Sequence, residues 1–298
     1  MKKYIISLYL PLAIAFIGCG GSGDSSTTAK TTPTTQESIP IQNDEIEDSK
    51  VIKEALSWYK PTLDTSWQWQ LSGDINTSYN VDLYDIDLFD TNTSTIDFLH
   101  SQGKKVICYF SAGSYENWRI DADKFPNEVL GNDLDGWVGE KWLDISKLEL
   151  ISDIMLNRMD IAKEKKCDGI EVDNIDGFTN NTGFDLTSDN QLEYNKFLAN
   201  EAHKRGLAIG LKNDILQIKE LEEYFDFAIN EQCNQYNECE LLLPFIENGK
   251  PVFNAEYNTS YIIDKKISTE LCDYTNKLRL RTLVLPLYLD GTFRYSCN

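Results

Sequence analysis

Residues 50–298 predict an α/β fold, a single-domain parallel (β/α)8 TIM barrel, on three observations. Strand-like and helical patterns alternate along the segment, three helices end in a glycine that feeds a new strand, and polar side chains gather at the C-terminal ends of successive strands. The segment is also close to the ~250 residues such a barrel needs.

The strand-like runs are eight: residues 66–71, 82–88, 105–112, 169–174, 207–213, 225–232, 251–257 and 282–288. Helical spacing covers 93–102, 148–166, 191–205, 215–224, 239–247 and 264–280. Gly103, Gly206 and Gly249 each close a helix and open a strand, the pattern of a left-handed C-cap. Residues 72–81 are too few and too polar for a crossover helix, so the first unit is irregular. A doubly wound open sheet is the alternative, but no Gly-x-Gly-x-x-Gly follows an early strand. Upstream, Val51, Ile52, Ala55, Leu56 and Tyr59 have helical spacing and Pro61 stops it, which predicts a lid or leading helix over 51–60.

The first 18 residues read as an export signal, with Lys2 and Lys3 before an apolar run that ends at Ile17-Gly18-Cys19. That run is short for a bilayer span, and Cys19 stands where a bacterial lipoprotein carries its lipid. Phe16 occupies a position where Leu is usual, so a plain secretory signal is the alternative. Residues 19–49 are Ser, Thr, Gly, Pro, Gln and acids, with too little apolar surface to offset ordering entropy, and predict a flexible tether. The chain is thus expected to be exported and lipid-anchored at the bacterial cell envelope, to meet membrane only through that anchor, and to act as a monomer.

Formal charge is −20, which disfavours nucleic acid and anionic lipid and favours cationic ligands. Setting Cys19 aside, six cysteines remain, an even number in an exported chain, which favours disulfides. The favoured pairs are Cys233 with Cys239 across a short loop, Cys272 with Cys297 at the C-terminus, and Cys108 with Cys167 between neighbouring strands. Zinc is the rival, weakened by only two histidines and the lack of Cys-x-x-Cys spacing.

The most informative stretch runs from Asp168 to Phe178. Alternation puts Gly169, Glu171 and Asp173 on one face, so two carboxylates share the barrel interior. Buried carboxylates cost several kcal/mol unless compensated, which marks a site. In a barrel the chemistry lies at the C-terminal strand ends. Those ends carry Trp69, Gln70 and Ser72; Asp85, Asp87 and Asp90; Tyr109, Ser111, Gly113 and Ser114; Asp173 and Asn174; Lys212, Asn213 and Asp214; Glu231 and Gln232; Glu256 and Tyr257; Tyr288 and Asp290. Acids and aromatic rings without a thiol nucleophile, a Ser-His pair or a phosphate loop point to glycosidic bonds, which are cleaved by two carboxyl groups. Trp67, Trp69, Tyr109, Tyr115, Trp118, Tyr257 and Tyr288 offer faces for sugar rings and ammonium groups.

Six segments together resemble one family: Trp67 to Gly73, Tyr84 to Asp90, Val106 to Gly113, Cys167 to Gly177, Gly210 to Asp214 and Asn230 to Cys233. The resemblance is to glycoside hydrolase family 114, the endo-α-1,4-polygalactosaminidases, and runs from about Trp58 to Cys297. It implies a TIM-barrel endo-hydrolase of α-1,4-linked galactosamine polymers with no metal or organic cofactor, whose catalytic pair matches Asp173 and Glu231. Val172 stands where members often carry Pro, and Phe178 where Tyr is common, a change that removes one hydrogen bond available to substrate.

The residues support the same pair. Asp173 ends its strand, whereas Glu171 lies one layer deeper; Glu231 follows Phe225, Phe227 and Ile229, and an apolar surround would raise its pKa and suit it as proton donor. Asp173 is therefore expected as nucleophile or base and Glu231 as acid, roles the sequence leaves interchangeable. Lys212 is expected to keep Asp173 ionised or to form a structural ion pair. The substrate-binding set is Trp69, Asp87, Tyr109, Asn174, Lys212, Asn213, Glu256, Tyr257 and Tyr288, with Asp85, Asp87, Glu256 and Asp290 holding the ammonium groups of a cationic amino-sugar polysaccharide. Two alternatives are a tethered barrel that binds glycan without cutting it, and a divalent-metal hydrolase built on Asp173, Asp176 and Asp185.

Overall fold

The structure is a computed structural model that describes residues 57–298. The export signal, Cys19 and the tether lie outside the described residues, as do residues 51–56 of the expected leading helix.

Twelve strands and eight α-helices follow one another among the described residues. The strands are β1 Trp67–Gln70, β2 Leu83–Asp87, β3 Lys105–Ser111, β4 Ser114–Glu116, β5 Leu130–Asp133, β6 Glu140–Leu143, β7 Gly169–Asp173, β8 Ala208–Lys212, β9 Phe227–Glu231, β10 Val252–Glu256, β11 Arg281–Val284 and β12 Tyr295–Ser296. The helices are α1 Thr93–Ser101, α2 Leu148–Glu164, α3 Ser188–Lys204, α4 Ile218–Leu221, α5 Cys233–Tyr236, α6 Leu243–Glu247, α7 Ser260–Ile263 and α8 Lys265–Lys277.

All eight expected strands form, and their order is that of a TIM-barrel-like α/β fold: β1-β2-β3-β7-β8-β9-β10-β11, every neighbouring pair parallel, with β12 antiparallel on β11. The seam between the first and eighth parallel strands is closed by side chains. Trp67 Nε1 donates to the Arg281 carbonyl at 2.8 Å, and Arg294 Nη2 donates to the Trp67 carbonyl at 3.0 Å. β12 covers the outer edge of β11, which would otherwise present unpaired backbone groups.

Alternation along the strands sorts two cores. Trp67, Trp69, Leu83, Ile107, Phe227, Ile229, Phe253, Ala255 and Leu283 fill the barrel interior, while Tyr84, Ile86, Val106, Phe110, Ile170, Val172, Ile209 and Leu211 pack outward toward the helices. Gly210 is needed inside, because a Cβ there would lie 2.4 Å from the Phe227 ring.

The helices start and stop for local reasons. Thr187 and Asn190 form a reciprocal capping box on α3, and Asp264 caps α8 by accepting from the Lys266 and Ile267 amides. Gly103, Gly206 and Gly249 take φ of 75°, 75° and 76° as the expected C-caps. The three expected disulfides form: Cys108–Cys167, Cys233–Cys239 and Cys272–Cys297.

Some elements differ from expectation. Residues 57–60 are not helical; the Trp58 ring stacks on His203 at 4.0 Å and its Nε1 donates to Asp226. Asp226 precedes β9, so this segment packs at the strand N-terminal end, opposite a lid position. The helix expected over 215–224 is broken into two 3-10 turns flanking α4, and that over 239–247 begins as a 3-10 turn before α6. Between β3 and α2 lies an unexpected insertion, the antiparallel sheet β4-β6-β5. Its strands have three or four residues, too short for alternation to register.

Candidate active site

Strands β7, β8 and β9 each end by turning sharply just after the residue that points into the barrel mouth. Asn174, Asn213 and Gln232, which directly follow Asp173, Lys212 and Glu231, all take left-handed backbone with φ of 61°, 51° and 62°. Asn tolerates that region better than most residues, and the abrupt turn leaves Asp173, Lys212 and Glu231 as the last inward side chains of three adjacent strands.

Those three side chains meet. Lys212 Nζ lies 2.9 Å from Asp173 Oδ1, 3.2 Å from Glu231 Oε2 and 3.3 Å from Glu171 Oε1, with only 2% of its side chain exposed. Burial pulls the Lys212 pKa down, but Asp173, Glu231 and Glu171 outweigh it and hold the ammonium well above its usual range. Burial likewise pushes Asp173 up, and here Lys212, the Asn174 amide and the Tyr109 hydroxyl prevail, leaving it below the usual carboxylate range. The Asn174 N–H donates to Asp173 Oδ1 at 2.8 Å, and Tyr109 Oη donates to Oδ2 at 2.9 Å. Asp173 is an ionised carboxylate with fixed orientation.

Glu231 is held by a second set of donors. Tyr257 Oη donates to Oε1 at 2.5 Å and Asn213 Nδ2 to Oε2 at 3.3 Å, while Asn213 Oδ1 accepts the Glu231 amide at 3.0 Å. The apolar surround expected for this group is not there. Phe227 and Ile229 lie below it in the barrel, and the carboxylate itself faces a phenol, an amide and an ammonium.

Beneath the mouth is a buried layer. Trp69 Nε1 donates to Glu171 Oε2 at 2.9 Å, and the Lys212 ammonium sits 4.9 Å from the Trp69 ring centre. Burial pushes Glu171 up to about 7, offset in part by Lys212. Asp85 is also fully buried, and burial together with Glu171 drives it well above its ordinary range.

The expected site residues therefore divide. Asp173, Glu231, Lys212, Tyr109, Asn213 and Tyr257 converge. Asn174 contributes its backbone amide; its side chain turns to Ser111 and Ser114, at 2.9 and 3.3 Å. Trp69 is 1% exposed and forms the floor, so it is no stacking platform.

The ammonium-binding acids need correction. Asp85 is sealed beneath the site. Asp87 is buried in a bidentate pair with Arg119, at 2.7 and 3.1 Å, and accepts the Phe89 and Asp90 amides. Glu256 points away from the interior, fully buried, where it accepts the Asn234 amide at 2.8 Å and burial pushes it up to about 7. None of the three is open to a polymer. Tyr288 and Asp290 remain on the surface, the former 69% exposed.

Sequence reasoning missed the charged root of the insertion. Arg158, wholly buried, donates to both Asp121 oxygens at 2.9 Å and to the Ser111 carbonyl at 2.6 Å, while Arg119 links Asp87 to Glu116 at 2.8 Å. Glu140 accepts from Ser114 Oγ at 2.9 Å and is pushed up to about 7, chiefly by burial. Among the described residues no group of three His, Cys, Asp or Glu side chains converges to hold a metal, so Asp173, Asp176 and Asp185 do not assemble the metal site considered above.

The sequence pattern of glycoside-hydrolase family GH114 matches residues 49–298. The chain belongs to this family and is a glycosidase. A solved structure, Aspergillus fumigatus Ega3 in complex with galactosamine, is 42% identical, with a TM-score of 0.76 over 81% of this chain and 98% of that one. The glycoside hydrolase domain of PelA from Pseudomonas aeruginosa shares the fold at 13% identity, with a TM-score of 0.61 over 76% of this chain and 96% of that one. No curated protein sequence matches the chain. For this GH114 glycosidase, the six segments that carried the resemblance supply Trp69, Asp85, Tyr109, Glu171, Asp173, Lys212, Asn213 and Glu231, which are the floor and the walls of the mouth.

Proposed function

We propose that this chain cuts α-1,4-linked galactosamine polymers internally, with Asp173 as nucleophile and Glu231 as acid and base. The observation that carries the reading is the convergence of the two carboxylates on one buried ammonium. Support for the substrate comes from the 42% identical relative solved with galactosamine and from the acidic balance of the chain, which suits a cationic polymer.

The geometry favours retention of configuration. Asp173 Oδ1 and Glu231 Oε2 lie 2.9 and 3.2 Å from the same nitrogen, so these two oxygens are at most about 6.1 Å apart, short of the ~6.5–9.5 Å that admits a water between the carboxyl groups of inverting enzymes. In the first step the Asp173 carboxylate forms a bond to the anomeric carbon as the glycosidic C–O bond breaks and the Glu231 proton passes to the leaving oxygen. In the second, Glu231 takes a proton from water, whose oxygen bonds the anomeric carbon as the ester C–O bond breaks. Lys212 reaches both groups, so its charge is balanced by Asp173 before the first step and by Glu231 after it. Asp173 suits the nucleophile because its donors keep it ionised; Glu231 is the more exposed of the two, at 29% against 18%, and meets the leaving group and water.

A barrel that only binds glycan has no need of two carboxylates sharing one lysine. The test is to incubate purified protein with partially deacetylated α-1,4-galactosamine polymer and follow chain length and the anomer first released. Rapid shortening with the α-anomer appearing first is expected, and Asp173→Asn and Glu231→Gln should each remove at least about 10³ of the rate. Full activity in either variant would refute the assignment. From the leader and Cys19 alone we also propose an enzyme anchored by lipid at the cell envelope; Cys19→Ser should then move it from the membrane to the soluble fraction.

A further inference from the structure

We propose that Trp137 and Tyr288 form a remote subsite that binds an amino-sugar unit of the polymer beyond the one being cleaved, an inference that rests on the hydrolase reading above. Trp137 lies in the turn between β5 and β6, and Tyr288 in the loop after β11. They are 151 residues apart in the sequence, yet their rings meet edge to face with centroids 6.2 Å apart and planes at 83°. Both are well exposed, 43% and 69%. Large rings that serve only packing are buried; here two arms of the barrel rim meet through rings that stay well exposed to water.

The backbones beneath the rings are fixed. Gly136 and Gly139 take φ of 87° and 94° and shape the turn that presents Trp137. Asp133 pairs with Lys141 across that hairpin. On the other arm the Tyr288 carbonyl accepts Ser72 Oγ at 2.9 Å, and the Leu289 carbonyl accepts the Leu71 and Ser72 amides. Ordered backbone under exposed aromatic rings is what a preorganised binding surface requires.

The patch connects to the catalytic centre. Glu140, three residues after Trp137, accepts from Ser114 Oγ, which receives Asn174 Nδ2, and Asn174 adjoins Asp173. Asp290, two residues after Tyr288 in the same loop, is held below the ordinary carboxylate range by hydrogen bonds from Thr292, so that loop also carries an ionised acid. A ring face for the C–H face of a pyranose, with an anion for its ammonium, is the chemistry of a galactosamine unit.

The test compares α-1,4-galactosamine oligomers of graded length on wild type, Trp137→Ala, Tyr288→Ala and Trp137→Phe. For long oligomers each alanine variant should raise KM roughly three- to tenfold, with little change in kcat, in the rate on the shortest cleaved oligomer or in Tm; Trp137→Phe should recover most of the loss. Equal losses on long and short oligomers, or no loss on either, would overturn the subsite. Affinities measured by calorimetry in the Asp173→Asn background separate the two readings. A wild type that cuts no oligomer sinks the hydrolase proposal, while the affinity gap between long and short oligomers, and its loss in Trp137→Ala, still judges the subsite.

Discussion

Lys212 Nζ sits 2.9 Å from Asp173 Oδ1, with 98% of the lysine side chain out of solvent, and the same ammonium touches Glu231 and Glu171. A buried cation among three carboxyl groups offsets part of their charge, and the carboxyl groups depend on it as much as it on them. Lys212→Met removes what keeps Asp173 below the ordinary range and leaves its burial in place. The Asp173 pKa should rise, moving the acid limb of kcat/KM to higher pH, and the rate should fall by about 10²-fold or more. A pH–rate profile checks this; an unmoved acid limb would show that Lys212 is only structural.

The two tyrosines act on different oxygens of different carboxylates. Tyr109 donates to Asp173 and Tyr257 to Glu231, and Phe at either position keeps the ring while deleting the donor. A hydrogen bond to a charged group contributes about 1.5–3 kcal/mol, so each replacement should lower kcat/KM roughly tenfold or more with the fold intact. Steady-state kinetics alongside circular dichroism decides it; wild-type rates in both variants would mean that the hydroxyls do not hold the carboxylates in their working geometry.

Gly113 is a position where sequence and catalysis meet in the backbone. Its amide donates to the Asp173 carbonyl at 3.0 Å, and a Cβ would fall 1.7 Å from the Asn174 carbonyl oxygen. Gly113→Ala must therefore displace the 174–175 peptide, one residue beyond Asp173, and a shift carried to the reacting carboxylate costs on the order of 10²-fold. By contrast a Cβ at Gly177 meets its nearest neighbour at an ordinary 3.4 Å, so Gly177→Ala should keep most of the activity. Comparable losses in the two variants would contradict this account.

The pattern of what the sequence revealed follows from which signals are local. Asp173, Lys212 and Glu231 were legible because each ends an alternating strand, and strand ends in a barrel converge whatever lies between them. The three disulfides followed from a short loop at Cys233–Cys239, a C-terminus tied down by Cys272–Cys297 and neighbouring strands at Cys108–Cys167. Glu256 was misassigned although the information was present: Phe253 and Ala255 face the interior, so Tyr257 shares their side and Glu256 does not. Asp87 is different. It does share the inward phase, and what removes it from the site is Arg119, 32 residues later in an insertion whose short strands give no period to read. The floor was half-legible, since Glu171 was placed a layer down, but its bond to Trp69 spans 102 residues and rests on the barrel's curvature.

Stability should fall as pH rises through the neutral range, because several buried carboxyls hold protons in the folded chain. Asp214, accepting from Asn195 at 2.8 Å, is pushed from 3.8 to about 9 by burial and by Asp176; Glu171, Glu140 and Glu256 move from 4.5 to about 7, mainly through burial. Between the unfolded and folded pKa values the native state binds more protons than the unfolded chain, so their stabilisation is complete below about pH 4 and is lost as pH rises through 7 and then 9. Asp173, lowered below 3.8, works in the opposite sense and its contribution is lost only in stronger acid. Tm should therefore peak in mild acid and decline from pH 5 to 9. Asp214→Asn removes the group with the widest window while suiting the left-handed backbone there, φ 42°. It should leave Tm nearly unchanged at pH 4.5 and raise it at pH 8.5, flattening the slope. Scanning calorimetry of both proteins across that range is the check, and an identical pH slope in the variant would mean that Asp214 is already ionised in the fold.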